Sequence, residues 1–317
     1  MNKKSVYIFK NSNIVNSSSG GAFPSFEKAL RDESSELIVY GAAFDLEMKV
    51  RHFRAINEEE TIKFRGSKYI ESNISGINKK IEKDLIDGDK IVLFTGTPCQ
   101  VAGIKSYLKA RNIQMSNIYF IDVLCHGTPS SQHWENYKLW LEKKHGSKLT
   151  SYAFRYNGKI SLHAGFEDGT KLENTKDLRL FYELFNSPKM LQEKCFRCPF
   201  VCMNNQSDIT IGDCWGIDKV LPEFPFKEGV SLIISNNKKG DVLVKFLKRQ
   251  SYANENMYLE ECKNSEYLKY NHPLTHATYR TNKTDEFIKN QKRGWNYLYI
   301  RFLIRDLLVK IKRIIIH

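Results

Sequence analysis

Four of the seven cysteines lie within a stretch of twenty residues, and their spacing is the clearest sign of chemistry in the sequence. Cys195 and Cys198 form a Cys-x-x-Cys pair, which places two sulfurs on one tight turn. Cys202 and Cys214 follow in the same neighbourhood. Such a pair is compatible with a redox dithiol, with half of a zinc site or with half of an iron–sulfur site. A zinc site would favour a second close pair after roughly 15–20 residues, and Cys214 alone lies at that distance.

Two further cysteines each follow an apolar run that predicts a buried strand. Cys99 lies in Gly-Thr-Pro-Cys-Gln, after the run 90–95, and Cys125 begins Cys-His-Gly-Thr-Pro, after the run 117–124. Ligands of open α/β sheets gather at the carboxyl ends of the strands. Four thiolates from three separate loops could therefore form the shell of a 4Fe–4S cluster. The alternative is that Cys99 and Cys125 are ordinary buried cysteines.

Other residues could bind a phosphate or move a proton. Residues 17–21 (Ser-Ser-Ser-Gly-Gly) lie between a predicted strand and a predicted helix, where backbone N–H groups can cradle a phosphate or where a serine can simply cap the helix. Lys68 could neutralise a phosphate or a reduced flavin ring, or could be a solvated loop lysine. His126 could assist proton transfer or only donate a hydrogen bond.

Asp213 and Trp215 follow the strand predicted in Asp-Ile-Thr-Ile, residues 208–211. Both could shape a site at the end of this strand. A tryptophan is more often part of a core than a stacking platform, so we expect core packing for Trp215.

The elements that must position these residues alternate along the first 150 residues as strand, turn and helix. This order predicts an α/β fold with a mixed, largely parallel sheet flanked by helices. After Ser151 the pattern changes, and segments 151–158 and 160–165 predict hairpin strands around the turn Asn157-Gly158. We expect a β-rich insertion there, followed by the cysteine-rich segment.

The composition excludes several classes of protein. A hydrophobic content of 41% is enough for a sizeable core, and no apolar run is long enough for a transmembrane helix. The N-terminus lacks the features of a secretory signal, so we expect a cytoplasmic protein. The net charge is +13, but residues 289–317 hold eight Lys/Arg and one acid. A nucleic-acid binder would more often spread its basic residues along recognition elements, so we expect no nucleic-acid partner.

The C-terminal tail, residues 297–316, predicts an amphipathic helix. Its apolar residues recur at spacings of three and four, at Ile300, Ile304, Leu307, Leu308 and Ile311. The helix could pack on the core of the protein. Alternatively, it could lie on an anionic membrane as a peripheral anchor.

The short motifs taken together resemble the coenzyme F420 hydrogenase/dehydrogenase beta-subunit family. The resemblance covers roughly residues 5–250 and depends on the order of seven motifs more than on any single one. These motifs are residues 18–23, 65–69, 96–100, 125–130, 154–155, 195–198 and 208–217. Some relatives similar to this chain are associated with cell-surface polysaccharide biosynthesis.

The resemblance implies an FAD-containing iron–sulfur oxidoreductase that passes electrons between a 4Fe–4S cluster, the flavin and an organic substrate. The implied cluster ligands are Cys99, Cys125, Cys195 and Cys198. The implied flavin-binding residues are Ser18, Ser19, Gly20, Gly21, Ser67, Lys68, Gly96 and Thr97. We assign catalytic roles to His126 and Lys68.

The chain also departs from the pattern of the family. Many relatives begin with a ferredoxin-like domain that carries further cysteines, whereas the first cysteine here is Cys99. We therefore expect a separate ferredoxin or electron-donor subunit as partner, and an organic small molecule or a lipid-linked glycan as substrate. Cys214 stands where the family usually has Phe, so Cys202 or Cys214 could replace a proposed ligand.

These assignments suggest three regions: an α/β flavin-binding region (1–150), a β-rich and cysteine-cluster region that completes the same catalytic module (151–284), and a basic amphipathic helix (285–317). The alternative function is that of a zinc-stabilised, non-redox binding or scaffold protein of glycan assembly.

Overall fold

The computed structural model describes residues 4–14, 17–34, 36–88, 90–156 and 158–316. Its strands within these ranges are β1 (Ser5–Asn11), β2 (Leu37–Phe44), β3 (Val50–Ala55), β4 (Ile91–Gly96), β5 (Ile118–Val123), β6 (Leu149–Tyr156), β7 (Lys159–Phe166), β8 (Lys171–Glu173), β9 (Ile209–Asp213), β10 (Ser231–Ser235) and β11 (Met257–Glu261).

The same ranges contain α-helices of very different lengths. They are α1 (Ala22–Glu33), α2 (Glu58–Thr61), α3 (Ile77–Ile86), α4 (Pro98–Ala110), α5 (Ser131–His145), α6 (Lys176–Asn186), α7 (Ile217–Val220), α8 (Lys238–Ala253), α9 (Tyr267–Tyr270), α10 (Asn282–Gln291) and α11 (Trp295–Ile316). Short 3₁₀ helices span Ile62–Phe64, Glu193–Arg197 and His272–Leu274. No helix of the described part has the length and hydropathy that crossing a bilayer requires.

The main sheet has eight strands in the order β11-β1-β10-β9-β5-β4-β2-β3. Strands β2, β4, β5 and β9 run parallel to their neighbours within this group and form its centre. Strand β3 and the group β10, β1 and β11 add antiparallel pairs on the two sides. The predicted fold class, a mixed α/β sheet flanked by helices, is confirmed.

Strands β4 and β5 show why the central runs are continuously apolar. Alternate side chains enter two different cores, with Val92 and Phe94 on the side of α3 and α4 and Leu93 on the side of α1 and α8. A strand covered by helices on both faces needs apolar residues at every position. In the register of the two strands Gly96 pairs with Asp122, so β4 and β5 end side by side.

An insertion between β5 and β9 carries α5, α6 and a second sheet of three strands in the order β6-β7-β8. Its core forms around the fully buried Trp134, which meets Tyr152 and Phe181 edge to face. Helix α11 packs on the same core through Trp295 and Leu298, and its Phe302 is also buried. The residue Asn157 of the predicted hairpin turn lies outside the described residues.

The main sheet takes strands from both sides of residue 150. Strands β9, β10 and β11 join it after the insertion, and β1 lies between β10 and β11. The three-region division at residues 150 and 284 stays a prediction.

Candidate metal centre

Four cysteines that are far apart in sequence line one pocket: Cys99, Cys125, Cys195 and Cys198. Cys99 lies in the first turn of α4, and Cys125 lies two residues after the end of β5. Cys195 lies in the 3₁₀ helix Glu193–Arg197, which ends just before Cys198. The structure therefore brings together the three loops that carry the predicted ligands.

The loop of Cys99 is fixed by hydrogen bonds at the start of α4. The Thr97 amide donates to Gln100 Oε1 at 3.0 Å, and Thr97 Oγ1 lies 3.1 Å from Cys99 Sγ. Gln100 Nε2 in turn donates to the carbonyl oxygen and the hydroxyl of Ser72, at 3.0 and 2.9 Å. The position of Thr97, just before α4, is thus set through Gln100 by the distant loop that carries Ser72.

Ser72 continues this network into the sheet. Its hydroxyl lies 3.0 Å from His52 Nδ1, and His52 Nε2 lies 2.8 Å from the carbonyl oxygen of Thr95. Burial lowers the pKa of His52 to about 4. The neutral ring therefore donates from Nε2 to Thr95 and accepts the Ser72 hydroxyl at Nδ1, so every polar atom of the ring has a partner.

The loop of Cys125 comes close to the Cys195 segment because residue 127 is glycine. Gly127 has φ of +123°, and a Cβ there would lie 3.0 Å from Cys195 Cβ and 2.8 Å from Leu191 Cδ1. The Gly127 amide donates to Cys125 Sγ at 3.4 Å. A side chain at position 127 would push the two cysteine-bearing loops apart.

Burial, with smaller contributions from the neighbouring cysteines, raises the pKa of the Cys125 thiol to about 12. Burial likewise raises the pKa of Cys195 and of Cys198. The charge of a Cys99 thiolate acts on each of these three thiols, so all four lie in one electrostatic neighbourhood. A bound cation would offset the cost of ionising the thiols, because metal ions deprotonate the cysteines that coordinate them.

The donor set fits a cluster held by four thiolates. Soft thiolate ligands suit iron–sulfur clusters and zinc. Over the described residues, no group of three or more His, Cys, Asp or Glu side chains is placed to hold a single metal ion. The four cysteines share the wall of a pocket rather than converging on one point.

A second group of motif residues meets beside the sheet. The Ser67 amide donates to Ser18 Oγ, and the Gly158 amide donates to the carbonyl oxygen of Ser17 at 2.8 Å. Arg155 donates through one nitrogen to the Gly158 carbonyl oxygen at 3.1 Å. The structure thus places the Ser/Gly turn, the loop 65–69 and the end of the β6–β7 hairpin side by side.

Arg155 also ties this group to the strand β9. It is buried, and its guanidinium pairs with both carboxylate oxygens of Asp213 at 2.8 and 3.3 Å. Trp215 lies over the guanidinium with the ring centroid 5.7 Å away, and 47% of its surface is exposed. The expectation that Trp215 packs in the core is wrong, because the half-exposed ring covers the buried guanidinium of Arg155 at the end of the strand.

The two glycines of the Ser/Gly turn are explained by packing on the chain itself. A Cβ at Gly20 would lie 2.2 Å from the carbonyl oxygen of Phe9 and 2.7 Å from the amide of Ser231. Gly21 has φ of +82° and begins α1 as its N-cap. Ser19 Oγ donates to the carbonyl oxygen of Val230 at 2.8 Å. These contacts hold the turn against β1 and the start of β10.

The remaining predicted residues lie in different places. Lys68 Nζ donates to the carbonyl oxygens of Lys63 and Arg65, both at 2.8 Å, and burial lowers its pKa to about 7. Thr97 lines the cysteine pocket, and Gly96 lies just before it, so these two accompany Cys99 rather than the Ser18–Ser67 contact.

Aromatic rings connect the cysteine pocket to the second group. The His126 ring lies 4.6 Å from Phe185, and Phe185 stacks on Tyr69 at 4.5 Å. Arg155 lies 3.5 Å from the hydroxyl of Tyr69. Burial lowers the pKa of His126 to about 4, so its ring is neutral in this wall.

Sequence reasoning missed one part of the pocket wall. Pro273, His276 and Thr278 line it, although they follow the last cysteine of the chain. The signal in the sequence is the pair His272 and His276, four residues apart. Among the described residues that line the pocket, neither Cys202 nor Cys214 occurs; Cys202 is exposed, and Cys214 is buried in a separate apolar core.

Comparison with known proteins agrees with this fold. The model of a family described as the C-terminal part of the coenzyme F420 hydrogenase/dehydrogenase beta subunit matches residues 89–260, more than half of the chain. A chain of the F420-reducing [NiFe] hydrogenase complex from Methanosarcina barkeri, solved in a xenon-derivatised form, superposes with a TM-score of 0.54 and 15% identity, over 92% of this chain and 94% of that one. No curated protein matches the sequence. The chain belongs to the coenzyme F420 hydrogenase/dehydrogenase beta-subunit family, which indicates a redox role of that type.

Proposed function

We propose that the protein is an iron–sulfur flavoprotein reductase in which Cys99, Cys125, Cys195 and Cys198 hold a 4Fe–4S cluster. The observation that carries this proposal is the single pocket that these cysteines line, although they come from three loops. When bound, the cluster would supply one-electron storage, and FAD would supply exchange between one-electron and two-electron chemistry. The chain itself would supply the position and the polarity around both groups.

The flavin proposal rests on the contact between Ser18 and Ser67. The loops of these two residues meet at the N-terminus of α1, where no side chain of the described residues caps the helix. Free N–H groups at the start of a helix favour a phosphate. Ser19, Gly20, Gly21 and Lys68 belong to the same two loops. Gly96 and Thr97, which lie beside the cysteine pocket, complete the proposed set of flavin-binding residues.

His126 and Lys68 are the proposed catalytic residues. The His126 ring lies between the cysteine pocket and the aromatic side chain of Phe185. Lys68 follows Ser67 directly, and its lowered pKa lets it exist in both protonation states near neutral pH. We propose that the positive charge of Lys68 offsets negative charge on the flavin. We also propose that His126 assists proton transfer to or from the substrate.

The proposed electron donor is a separate ferredoxin or donor subunit. The solved structure with a similar fold is part of a hydrogenase complex, which supports a partner subunit here. The proposed substrate is an organic small molecule or a lipid-linked glycan, with a place in cell-surface polysaccharide biosynthesis.

Analysis of anaerobically purified protein tests this function. We expect about four iron and four sulfide per chain, together with one FAD and a broad visible absorbance. Metal analysis should cover zinc as well as iron. Stoichiometric zinc without iron or flavin would overturn the proposal and favour the zinc-stabilised, non-redox scaffold.

We also propose that the protein works in the cytoplasm and touches a membrane through α11. Leu298 and Phe302 on one face of the helix are buried against the protein. The opposite face exposes a stripe of large apolar residues, each between 42 and 58% exposed: Ile300, Ile304, Leu307, Leu308 and Ile311. Lys310 and Lys312 are exposed beside this stripe. An apolar face flanked by cations suits the surface of an anionic bilayer.

A further inference from the structure

The segment 271–278 forms one wall of the cysteine pocket, although it lies beyond the residues that the family model matches. It follows α9 and contains the 3₁₀ helix His272–Leu274. Pro273, His276 and Thr278 are the residues that face the pocket. The segment has no cysteine of its own, so its contribution must come from contacts with the loops that do.

The first contact holds the chain just after Cys198. The Cys202 amide donates to the carbonyl oxygen of Pro273 at 3.1 Å, and the Cys202 thiol donates to the carbonyl oxygen of Thr275 at 2.7 Å. Cys202 has φ of +58°, a left-handed conformation that costs a non-glycine residue free energy. The two bonds to the segment stabilise this turn and fix where the Cys195–Cys198 loop leaves the pocket.

The second contact holds the loop of Cys125. Thr278 Oγ1 donates to the carbonyl oxygen of His126 at 2.6 Å. A hydroxyl has one hydrogen, so at its second contact Thr278 Oγ1 accepts from His272 Nε2, 3.2 Å away. Thr278 is buried, and replacing its hydroxyl with a methyl group would leave both partners unsatisfied.

We propose that the segment 271–278 clamps the Cys125 loop to the Cys195–Cys198 loop, and that Thr278 is the positioning residue for Cys125. This inference rests on the proposed function, since it concerns how tightly the four cysteines retain a cluster. With the clamp in place, the pocket is closed on this side and Cys125 is held towards the other ligands. Without the Thr278 bond, the Cys125 loop gains freedom and water gains a further path into the pocket from this side.

The test compares Thr278→Val with Thr278→Ser, which keeps the hydroxyl, and with Thr284→Val as a matched control. Thr284 is also buried, and its hydroxyl donates to the carbonyl oxygen of Pro188 at 3.0 Å, away from the pocket. We expect Thr278→Val to release iron to a chelator about tenfold faster than wild type, the lower end of what partners of ligands contribute. Thr278→Ser and Thr284→Val should release iron at the wild-type rate.

A second measurement separates positioning from a general loss of stability. The midpoint potential of the cluster, followed by electron paramagnetic resonance, should shift in Thr278→Val and stay unchanged in Thr284→Val, because solvent access and hydrogen bonding around the sulfurs set the potential. Iron release that is unchanged in Thr278→Val, or equally fast in Thr284→Val, would overturn the clamp.

The outcomes also distinguish the clamp from the function on which it rests. If the wild-type protein binds no iron, the proposed function fails, and the clamp is then judged by thiol chemistry alone. Labelling of Cys125 by a maleimide should be faster in Thr278→Val than in Thr278→Ser in the metal-free protein. Equal rates would show that the Thr278 bond does not position this cysteine.

Discussion

The ring of Tyr69 stacks on the ring of Phe185, with the centroids 4.5 Å apart and the planes 15° from parallel. Phe185 also meets the ring of His126 at 4.6 Å. One buried side chain of α6 thus touches the loop that follows Ser67 and the loop that follows Cys125. The two proposed cofactor regions are joined through Phe185.

We predict that Phe185→Leu destabilises the protein by about 1–3 kcal/mol, since each aromatic pair contributes about 0.5–1.5 kcal/mol beyond its buried area. The measurement is urea unfolding of wild type, Phe185→Leu, Tyr69→Leu and the double variant. The coupling free energy between the two sites should be about 1 kcal/mol. Phe226→Leu, whose aromatic neighbours are elsewhere, should show no coupling to Tyr69→Leu. If the changes in unfolding free energy caused by Phe185→Leu and Tyr69→Leu simply add in the double variant, the prediction is contradicted.

The four proposed ligands can be tested one at a time. Serine at Cys99, Cys125, Cys195 or Cys198 should sharply reduce the iron content and the broad visible absorbance, because each substitution removes a thiolate from the shell. Cys262→Ser is the control, since Cys262 is buried in a separate core and bonds locally to Asn264. If two of the four variants kept the iron content of the wild-type protein, the assignment of these cysteines as cluster ligands would be wrong.

The pair of Arg155 and Asp213 makes a sharp prediction about stability. Asp213→Ala would leave a guanidinium with 4% exposure without its carboxylate, and breaking a buried pair costs about 3–5 kcal/mol. The double variant Asp213→Ala with Arg155→Met should be more stable than Asp213→Ala alone, because it also removes the unpaired charge. Denaturant unfolding measures the free energy of unfolding of the single and the double variant. A double variant that is less stable than the single one would show that packing of Arg155 matters more than its charge.

His52 should make the protein sensitive to acid. Burial, together with the nearby charge of Lys68, lowers its pKa from 6.5 to about 4. Between these values the unfolded chain binds more protons than the folded protein, so stability is full above pH 6.5 and falls as the pH falls towards 4. The loss amounts to roughly 3 kcal/mol.

The matched variant for this titration is His52→Gln, which cannot ionise. We expect the difference in unfolding free energy between wild type and His52→Gln to shrink as the pH falls from 7.5 to 4.5, measured by urea midpoints. A difference that does not change with pH would show that His52 keeps its ordinary pKa in the folded protein.

The exposed stripe on α11 predicts binding to anionic vesicles. Wild-type protein should sediment with such vesicles at low salt and dissociate as the salt concentration rises. Leu307→Gln with Leu308→Gln should weaken binding, whereas Leu46→Gln, a fully exposed leucine outside the helix, should not. If the wild-type protein does not sediment, the membrane contact is wrong. Truncation at residue 290 is a poor test, because it removes the buried Leu298 and Phe302.

Local patterns in the sequence predicted many elements of the fold. The apolar run 117–124 extends β5 by one residue at each end, and the run 90–95 differs from β4 by one residue at each end. The helix predicted at 297–316 differs from α11 by two residues at its start. These elements depend on the period of their own side chains, so their neighbours in sequence are enough to define them.

Features that depend on distant partners could not be predicted. The pairing of β1 with β10 and β11 depends on residues that come after position 230. The exposure of Trp215 depends on the buried Arg155 beneath it, and the pocket wall at Thr278 depends on a carbonyl oxygen at His126. Hydrogen bonds to a backbone carbonyl leave no pattern in the sequence, which explains why this wall was missed.

The place of β1 in the sheet has a consequence for the synthesis of the protein. Its buried residues Val6, Ile8 and Phe9 leave the ribosome before the other strands of the sheet, yet their partners in β10 and β11 are the last of these strands to be made. Until then the nascent chain carries an apolar strand with two open edges, which other chains can join. All the cysteines of the pocket emerge before the sheet can close. Co-translational capture of β1, by a chaperone for example, would therefore protect this protein until β10 and β11 are made.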